Sequence, residues 1–203
     1  MKILSFVASL AIALVGVPIS FSAAQADNYP SKPITIVVGF APGGPTDTVA
    51  RVIGQHMSKT LGESVIVENQ TGAAGTIAMN RVFRSPPDGY TLSVGQWTTN
   101  VGAVIANPVQ FDVLKDFTPI SLLASSPNIL LVKADSAFKT VADVIAQSRA
   151  KPGSLAYAHA GTGTSTHLAG ELLKNLAKID INAIPYKGGA PAINDLLGGQ
   201  IPM

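Results

Sequence analysis

The chain has 203 residues, no cysteine and only 13% charged residues, with a formal net charge of +2. The absence of cysteine excludes disulfides, thiolate catalysis and cysteine-based metal sites. The charge is nearly balanced and no basic cluster occurs, which argues against a nucleic-acid partner.

The first 26 residues are predicted to form a secretory signal peptide. Lys2 supplies the positive start, residues 3–17 are almost wholly apolar, and Ala24-Gln25-Ala26 has the small-x-small pattern of a cleavage site. The apolar run is shorter than the roughly 20 residues that span a bilayer, so a membrane anchor is the less favoured interpretation. We therefore expect cleavage before Asp27 and an exported, soluble, periplasmic chain.

Strands and helices alternate after the signal peptide. The β-branched run 34–40 predicts a buried strand, and the spacing of apolar residues predicts a helix over 46–61, ended by Gly62. Strands are then predicted at 64–68 and 90–94, with a helix at 76–83 between them and a short helix at 101–106. Residues 117–124 and 128–133 are predicted to be two further strands.

A second series of elements begins at residue 140. Thr140 is the predicted N-cap of a helix over 141–150, with Asp143 as the reciprocal capping acid. Strands at 155–158 and 181–185 and helices at 167–177 and 190–197 follow, and residues 200–203 resemble the start of another strand. Repeated strand–loop–helix units predict an α/β fold with largely parallel sheets. We expect a first lobe at 27–125 and a second lobe at 126–203.

Three glycine-rich loops and one tryptophan-containing loop follow predicted strands. We call them loop 1 (residues 40–47), loop 2 (161–167), loop 3 (186–189) and the tryptophan loop (96–100). Ligands bind beyond the carboxyl ends of strands in such sheets. Loops 1 and 2 each lead into a helix, where free N–H groups and the helix dipole attract anions. Facing each other, they would bind a small polar anion; ordinary helix capping is the alternative.

Three side chains near these loops have more than one interpretation. Asp47 either complements the helix dipole, fixes loop 1 or binds a ligand. Trp97 either packs at the end of the sheet or forms a pocket wall. Lys187 suggests a Schiff-base lysine, but a solvated loop lysine is favoured because no activating neighbour occurs in the local sequence.

The three histidines are not spaced as metal ligands. His56 is expected to be packed in the core or at its edge, on the apolar side of the first helix. His159 and His167 either bind a ligand or brace loop 2, and the brace is favoured. No metal site is expected.

The loops carry no cofactor or catalytic signature. Loop 2 has Thr166 where a dinucleotide motif needs its third glycine, and no loop ends in the Gly-Lys-Ser/Thr of a phosphate-binding loop. A Gly-x-Ser-x-Gly elbow is also missing. We therefore expect no cofactor, no catalytic residue and no enzyme activity. The alternative is a secreted α/β hydrolase, for which Ser165 with His167 is the best local pair.

Taken together, several segments resemble one family, the Bug-type periplasmic substrate-binding receptors of tripartite tricarboxylate transporters. The segments are YPSKPITIVVGFAPGGPTD at 29–47, VIVEN at 65–69 with Gly72 and Gly75, PDGYTL at 87–92, HLAGE at 167–171, PYKGG at 185–189 and DLLGGQ at 195–200. The resemblance implies a type II periplasmic-binding-protein fold that closes over a small carboxylate. It also implies a membrane permease of the tripartite tricarboxylate type as partner, and a monomer.

Carried over by position, the resemblance assigns ligand contacts to all four loops. They are Phe40, Pro42, Gly43, Gly44, Thr46, Asp47, Gln96, Trp97, Gly161, Thr164, Ser165, Thr166, His167 and Tyr186. Backbone groups, hydroxyls and bridging waters would hold the carboxylate.

The chain also departs from the family pattern. Family members continue well beyond Met203, so we expect a fragment or truncated product with an incomplete second lobe, and a nonfunctional product is a further alternative. Gln70 and Thr71 stand where Arg-Pro is common. Trp97 is bulkier than expected and would bias the choice of ligand.

Overall fold

The computed structural model describes residues 29–203 apart from residue 124, without the side chains of residues 98, 103 and 106. The predicted signal peptide lies outside these residues. Two separate parallel sheets organise the described chain. The predicted lobe boundary at 125/126 falls between them and stays a prediction.

The first sheet has the order β2-β1-β3, with β1 (Ile34–Val38) between β2 (Val65–Asn69) and β3 (Thr91–Val94). Both pairings are parallel, and Ile36 lies opposite Val67 and Leu92. The β-branched run is buried as predicted, with three of its residues wholly inaccessible. Because the strands are parallel, the loops that follow them meet at one edge of the sheet.

Three helices and two short helical turns also belong to the described part of this first unit. Helix α1 (Pro45–Leu61) ends at Gly62, whose φ of 76° is the left-handed conformation that glycine adopts easily. A 3₁₀ turn (Ala73–Gly75) leads into α2 (Thr76–Phe83). A π-helical turn (Thr98–Gly102) leads into α3 (Ala103–Ala106).

The prediction for His56 is wrong, because this side chain is exposed. Helix α1 packs on the sheet through small residues, Ala50 and Gly54, which let the backbone approach closely. A Cβ on Gly54 would lie only 3.2 Å from Val65. This contact face is rotated by more than 100° from His56, which leaves the histidine on the solvent side.

The second unit contains the parallel pair β4 (Ala156–His159) and β5 (Asn182–Pro185). Its helices are α4 (Val141–Ala150), α5 (Ser165–Ala177) and α6 (Gly189–Leu197). The predicted capping box of α4 is present in both directions. The core of this unit consists of the buried residues Val144, Leu155, Tyr157, Ile179, Ile181 and Met203.

The two strands predicted between the units are wrong. The described residues of 117–133 form no strand, and Leu122 and Ile129 are 91% and 71% exposed. Their apolar composition favours strands, but a strand also needs a neighbour to complete its hydrogen bonds, and no described strand lies beside them. Residues 200–203 are not a strand either, although Ala158 N–H donates to the Met203 carbonyl at 2.9 Å.

Neither a membrane-spanning helix nor a metal-binding cluster occurs among the described residues. None of their helices is long and apolar enough to cross a membrane. Nor do they contain a group of three or more histidine, aspartate or glutamate side chains placed to hold a metal ion.

Candidate ligand-binding cleft

A cavity of about 250 Å³ lies between the two units, where the strands of both sheets end. On the first-unit side its lining is Gly39, Phe40, Gly72, Ala73, Ala74 and Asn107. On the second-unit side the lining is Ala160, Gly161, Thr162, Pro185, Tyr186 and Lys187. Among these described residues no side chain is a carboxylate and Lys187 is the one cation. The lining therefore favours a small anion.

Asp47 fixes loop 1 and is 2% exposed. Its carboxylate accepts hydrogen bonds from Gly43 N–H at 2.8 Å, Arg51 Nε at 2.9 Å and Asn69 Nδ2 at 2.8 Å. Burial alone would raise the pKa of Asp47, but the hydrogen bonds from Arg51, Gly43 and Asn69 lower it overall. The ionised carboxylate thus braces the loop, and it does not line the cavity.

The tryptophan loop contacts loop 1 through Gln96. Its Nε2 donates to the Thr46 hydroxyl at 2.8 Å, and Thr46 is itself buried. Trp97 is 68% exposed and lies outside the cavity lining. It is therefore neither packed at the sheet end nor a wall of the cavity in this structure.

The segment from Gly72 to Gly75 forms a wall that the sequence reasoning missed. All four residues have positive φ, including Ala73 at 44° and Ala74 at 52°, where a side chain is disfavoured. Such strained backbone concentrates at ligand sites. Ala74 lies against loop 2, since a Cβ on Gly161 would be 3.5 Å from it. The signal available in the sequence was the Gly72-x-x-Gly75 pattern directly after a strand.

Two hydroxyls of loop 2, those of Thr164 and Thr166, make hydrogen bonds within the loop. Thr164 is fully buried and donates to the Gly161 carbonyl at 2.6 Å. Thr166 accepts from Ala160 N–H at 3.0 Å and lies 3.1 Å from the Thr164 hydroxyl. These contacts hold the turn in shape.

The two histidines also brace loop 2, which was the favoured interpretation. Nδ1 of His159 accepts from Gly161 N–H at 3.2 Å, and Nδ1 of His167 accepts from Gly163 N–H at 3.3 Å. His159 is 2% exposed, and burial lowers its pKa. Its ring therefore favours the neutral form that can accept a hydrogen bond.

Thr162 remains as the polar group that loop 2 offers to the cavity. It is exposed and lines the cavity. Within the described part of the chain, neither its N–H nor its hydroxyl has a hydrogen-bond partner. The sequence reasoning passed over it because loop 2 offered several hydroxyls of equal promise.

Loop 3 joins the two units. Ala41 N–H donates to the Lys187 carbonyl at 2.9 Å, and a Cβ on Gly44 would lie 3.8 Å from Ala190 N. The N-termini of α1 and α6 therefore meet here, and neither has a side-chain cap. Two positive helix ends in proximity favour an anion nearby.

Side chains of loop 3 differ in how they are held. The Tyr186 hydroxyl donates to Asp195 at 2.7 Å, and this bond raises the pKa of Tyr186. The Lys187 ammonium is exposed and has no hydrogen bond or ion pair among the described residues. It is thus a solvated lysine at the mouth of the cavity, as favoured from the sequence.

The predicted site residues divide into two groups. Those that line the cavity are Phe40, Gly161 and Tyr186. Those that lie in the surrounding loops without lining it are Pro42, Gly43, Gly44, Thr46, Asp47, Gln96, Trp97, Thr164, Ser165, Thr166 and His167. Asn107, in the connection after α3, completes the lining and carried no motif that would have indicated it.

Comparison with known proteins places this cleft in a family. The family model described as tripartite tricarboxylate transporter family receptor matches residues 49–203. The chain belongs to this receptor family. Protein BugT of Bordetella pertussis is 37% identical over 194 residues, covering 95% of this chain and 58% of that protein. The Bug-type resemblance is therefore confirmed.

Two solved structures share the receptor fold. Rpa4515 of R. palustris with adipate superposes with a TM-score of 0.82 at 35% identity, covering 86% of this chain and 58% of that one. MatC from Rhodopseudomonas palustris with bound malate has a TM-score of 0.79 at 40% identity, with 86% and 60% covered. The predicted periplasmic-binding-protein fold is confirmed. The chain spans somewhat more than half the length of these receptors.

Proposed function

We propose that this chain carries the cleft of a periplasmic receptor that captures a small dicarboxylate for a tripartite tricarboxylate transporter. The observation that carries the proposal is the cavity between the two units, whose described lining has one lysine and no carboxylate. A lining of this kind accepts an anion through backbone N–H groups, hydroxyls and one ammonium. At about 250 Å³ it suits a short ligand rather than a nucleotide-sized one.

The arrangement of charges around the cavity supports the same ligand class. Helices α1 and α6 direct their uncapped N-termini toward each other beside loop 1. Lys187 adds one full charge at the mouth. A dicarboxylate would have one end near Lys187 and the other near Thr162 and the left-handed turn at Ala73 and Ala74.

Relatives supply independent support for this ligand class. Two structural neighbours were solved with adipate and with malate, which are both dicarboxylates. The predicted loop residues that do not line the cavity are proposed to shape it rather than to touch the ligand. Export by the predicted signal peptide, a monomeric state in solution and delivery to a membrane permease belong to the same proposal.

The test is isothermal titration calorimetry of the purified chain with malate, adipate, citrate and acetate. We expect heat of binding with malate or adipate and none with acetate. Lys187→Gln should weaken binding by about 1–2 kcal/mol, or roughly 5- to 30-fold, because it removes a charge-assisted contact. Lys59→Gln, which removes an exposed lysine near the end of α1, is the matched control and should bind normally.

We further propose that the chain binds its ligand without turnover. His167, the base of the rival hydrolase hypothesis, uses Nδ1 to accept the Gly163 N–H at 3.3 Å. With Nδ1 accepting, the proton of the neutral ring lies on Nε2, so neither ring nitrogen has a lone pair free to take a proton from a serine. Ester hydrolysis by the purified chain that disappears in Ser165→Ala would overturn this part of the proposal.

A further inference from the structure

Thr162 lies between two glycines, each of which is hydrogen-bonded to a histidine. Gly161 N–H donates to His159 and Gly163 N–H donates to His167, in both cases at Nδ1. The two rings are 4.6 Å apart between their centroids. The glycines have φ values of 133° and 86°, so the turn depends on conformations that few other residues adopt.

We propose that His159 and His167 are positioning residues that hold the Thr162 N–H and hydroxyl toward the cavity, and that they do so only while their rings are neutral. The proposal rests on the function proposed above, because it assigns Thr162 to the ligand. A proton on Nδ1 would occupy the lone pair that accepts the glycine N–H. Two donors would then face each other, and the flexible glycines would let the turn move.

The surroundings of His159 determine how protonation would act. The ring is buried, and burial lowers its pKa below the ordinary value of 6.5. Because the folded-state pKa is lowered, the stability that the neutral ring contributes is complete above 6.5. That contribution is lost as the pH falls through the folded-state pKa, so the turn should loosen on the acid side.

Among the described residues, the charged and titratable groups near His159 leave no free carboxylate to hold its proton. The Tyr157 ring lies 5.8 Å away, and its hydroxyl donates to Glu171 at 3.1 Å. Glu171 also pairs with Lys174 at 3.0 Å. Asp195 of α6 accepts the hydroxyl of a loop 3 tyrosine. The other neighbour is His167, whose positive form would oppose a second charge.

The first test follows the amide signals of Gly161 and Gly163 by NMR, without added ligand, from about pH 7.5 to about pH 5. In the wild-type chain the Gly161 signal should shift as His159 protonates. In His159→Asn, Oδ1 accepts at the place of Nδ1 and cannot titrate, so the Gly161 signal should lose its pH dependence. His56→Asn removes the exposed histidine of α1 and should leave both profiles unchanged.

The second test measures malate or adipate affinity by calorimetry at about pH 7.5. His159→Leu, which removes the acceptor, should weaken binding roughly three- to tenfold, whereas His159→Asn should stay within about twofold of wild type. If His159→Leu does not fold, the pH profile of the Gly161 amide signal in His159→Asn, compared with wild type, decides whether the proposal holds. A Gly161 signal with the same pH profile in both chains would overturn the proposal. If the NMR profiles of wild type and His159→Asn differ as expected but no carboxylate binds, the role of His159 in holding loop 2 is supported and the proposed carboxylate ligand is refuted.

Discussion

Replacing Asn69 by alanine tests whether the network beneath loop 1 holds the first unit together. Its Nδ2 donates to the Phe40 carbonyl at 2.9 Å and to Asp47 Oδ1 at 2.8 Å. The first bond is neutral and contributes about 1 kcal/mol, and the second goes to a charged group and contributes about 1.5–3 kcal/mol. Asn69 is half-buried, so water can replace part of the loss. We expect the free energy of unfolding to fall by about 2–3 kcal/mol.

Urea denaturation followed by circular dichroism measures this change, and the melting temperature should fall by roughly 4–12 °C. Asn175→Ala is the matched control, because Asn175 is exposed on α5 and accepts one long 3.5 Å bond from Lys178. It should change stability by less than about 0.5 kcal/mol. If the free energy of unfolding of Asn69→Ala equals that of Asn175→Ala, the network contributes nothing and the reasoning fails.

Three further changes have outcomes that urea denaturation can measure. Gly39→Ala should lower the free energy of unfolding by roughly 3 kcal/mol or more, because its Cβ would lie 2.5 Å from the Gly75 Cα. A loss below about 1 kcal/mol would contradict this. Burial raises the pKa of Asp47 but its hydrogen bonds lower it overall, so its stabilisation is present above 3.8 and lost as the pH falls through the lowered pKa. Asp47→Asn should therefore flatten the dependence of stability on pH in acid, and an unchanged slope would count against the brace. Thr140→Ala should cost about 1 kcal/mol by removing the N-cap of α4, whereas no loss would show that the cap is dispensable.

Helix ends followed from the sequence because their causes are local, and the parallel sheets followed from the alternation of strands and helices. Gly62 ends α1 where a left-handed residue is needed, and Thr140 begins α4 with its capping acid in place. The strand prediction for residues 117–133 was wrong for a different reason. Strand propensity is a property of the segment, but a strand exists only beside a partner, and the sequence of the segment does not name one.

The candidate site was predictable by region but not by residue. Strand ends and glycines located the loops correctly, because parallel strands bring their following loops to one edge. Which groups face the ligand depends on hydrogen bonds made within each loop. Asp47, Thr164 and His167 are engaged there, whereas Thr162 and Ala74 face the cavity. Composition alone does not distinguish a hydroxyl that makes hydrogen bonds within a turn from one that faces the cavity.

The hydrogen bond from Ala41 to the Lys187 carbonyl has a consequence for affinity. It links the two units, and a Cβ on Gly188 would lie only 3.0 Å from Ala41 N, although neither Ala41 nor Gly188 lines the cavity. The apparent affinity of any ligand is its intrinsic affinity multiplied by the fraction of molecules in the binding-competent arrangement. Relatives could therefore differ in affinity at identical cavity linings, through residues at positions 41 and 188 that change only this fraction.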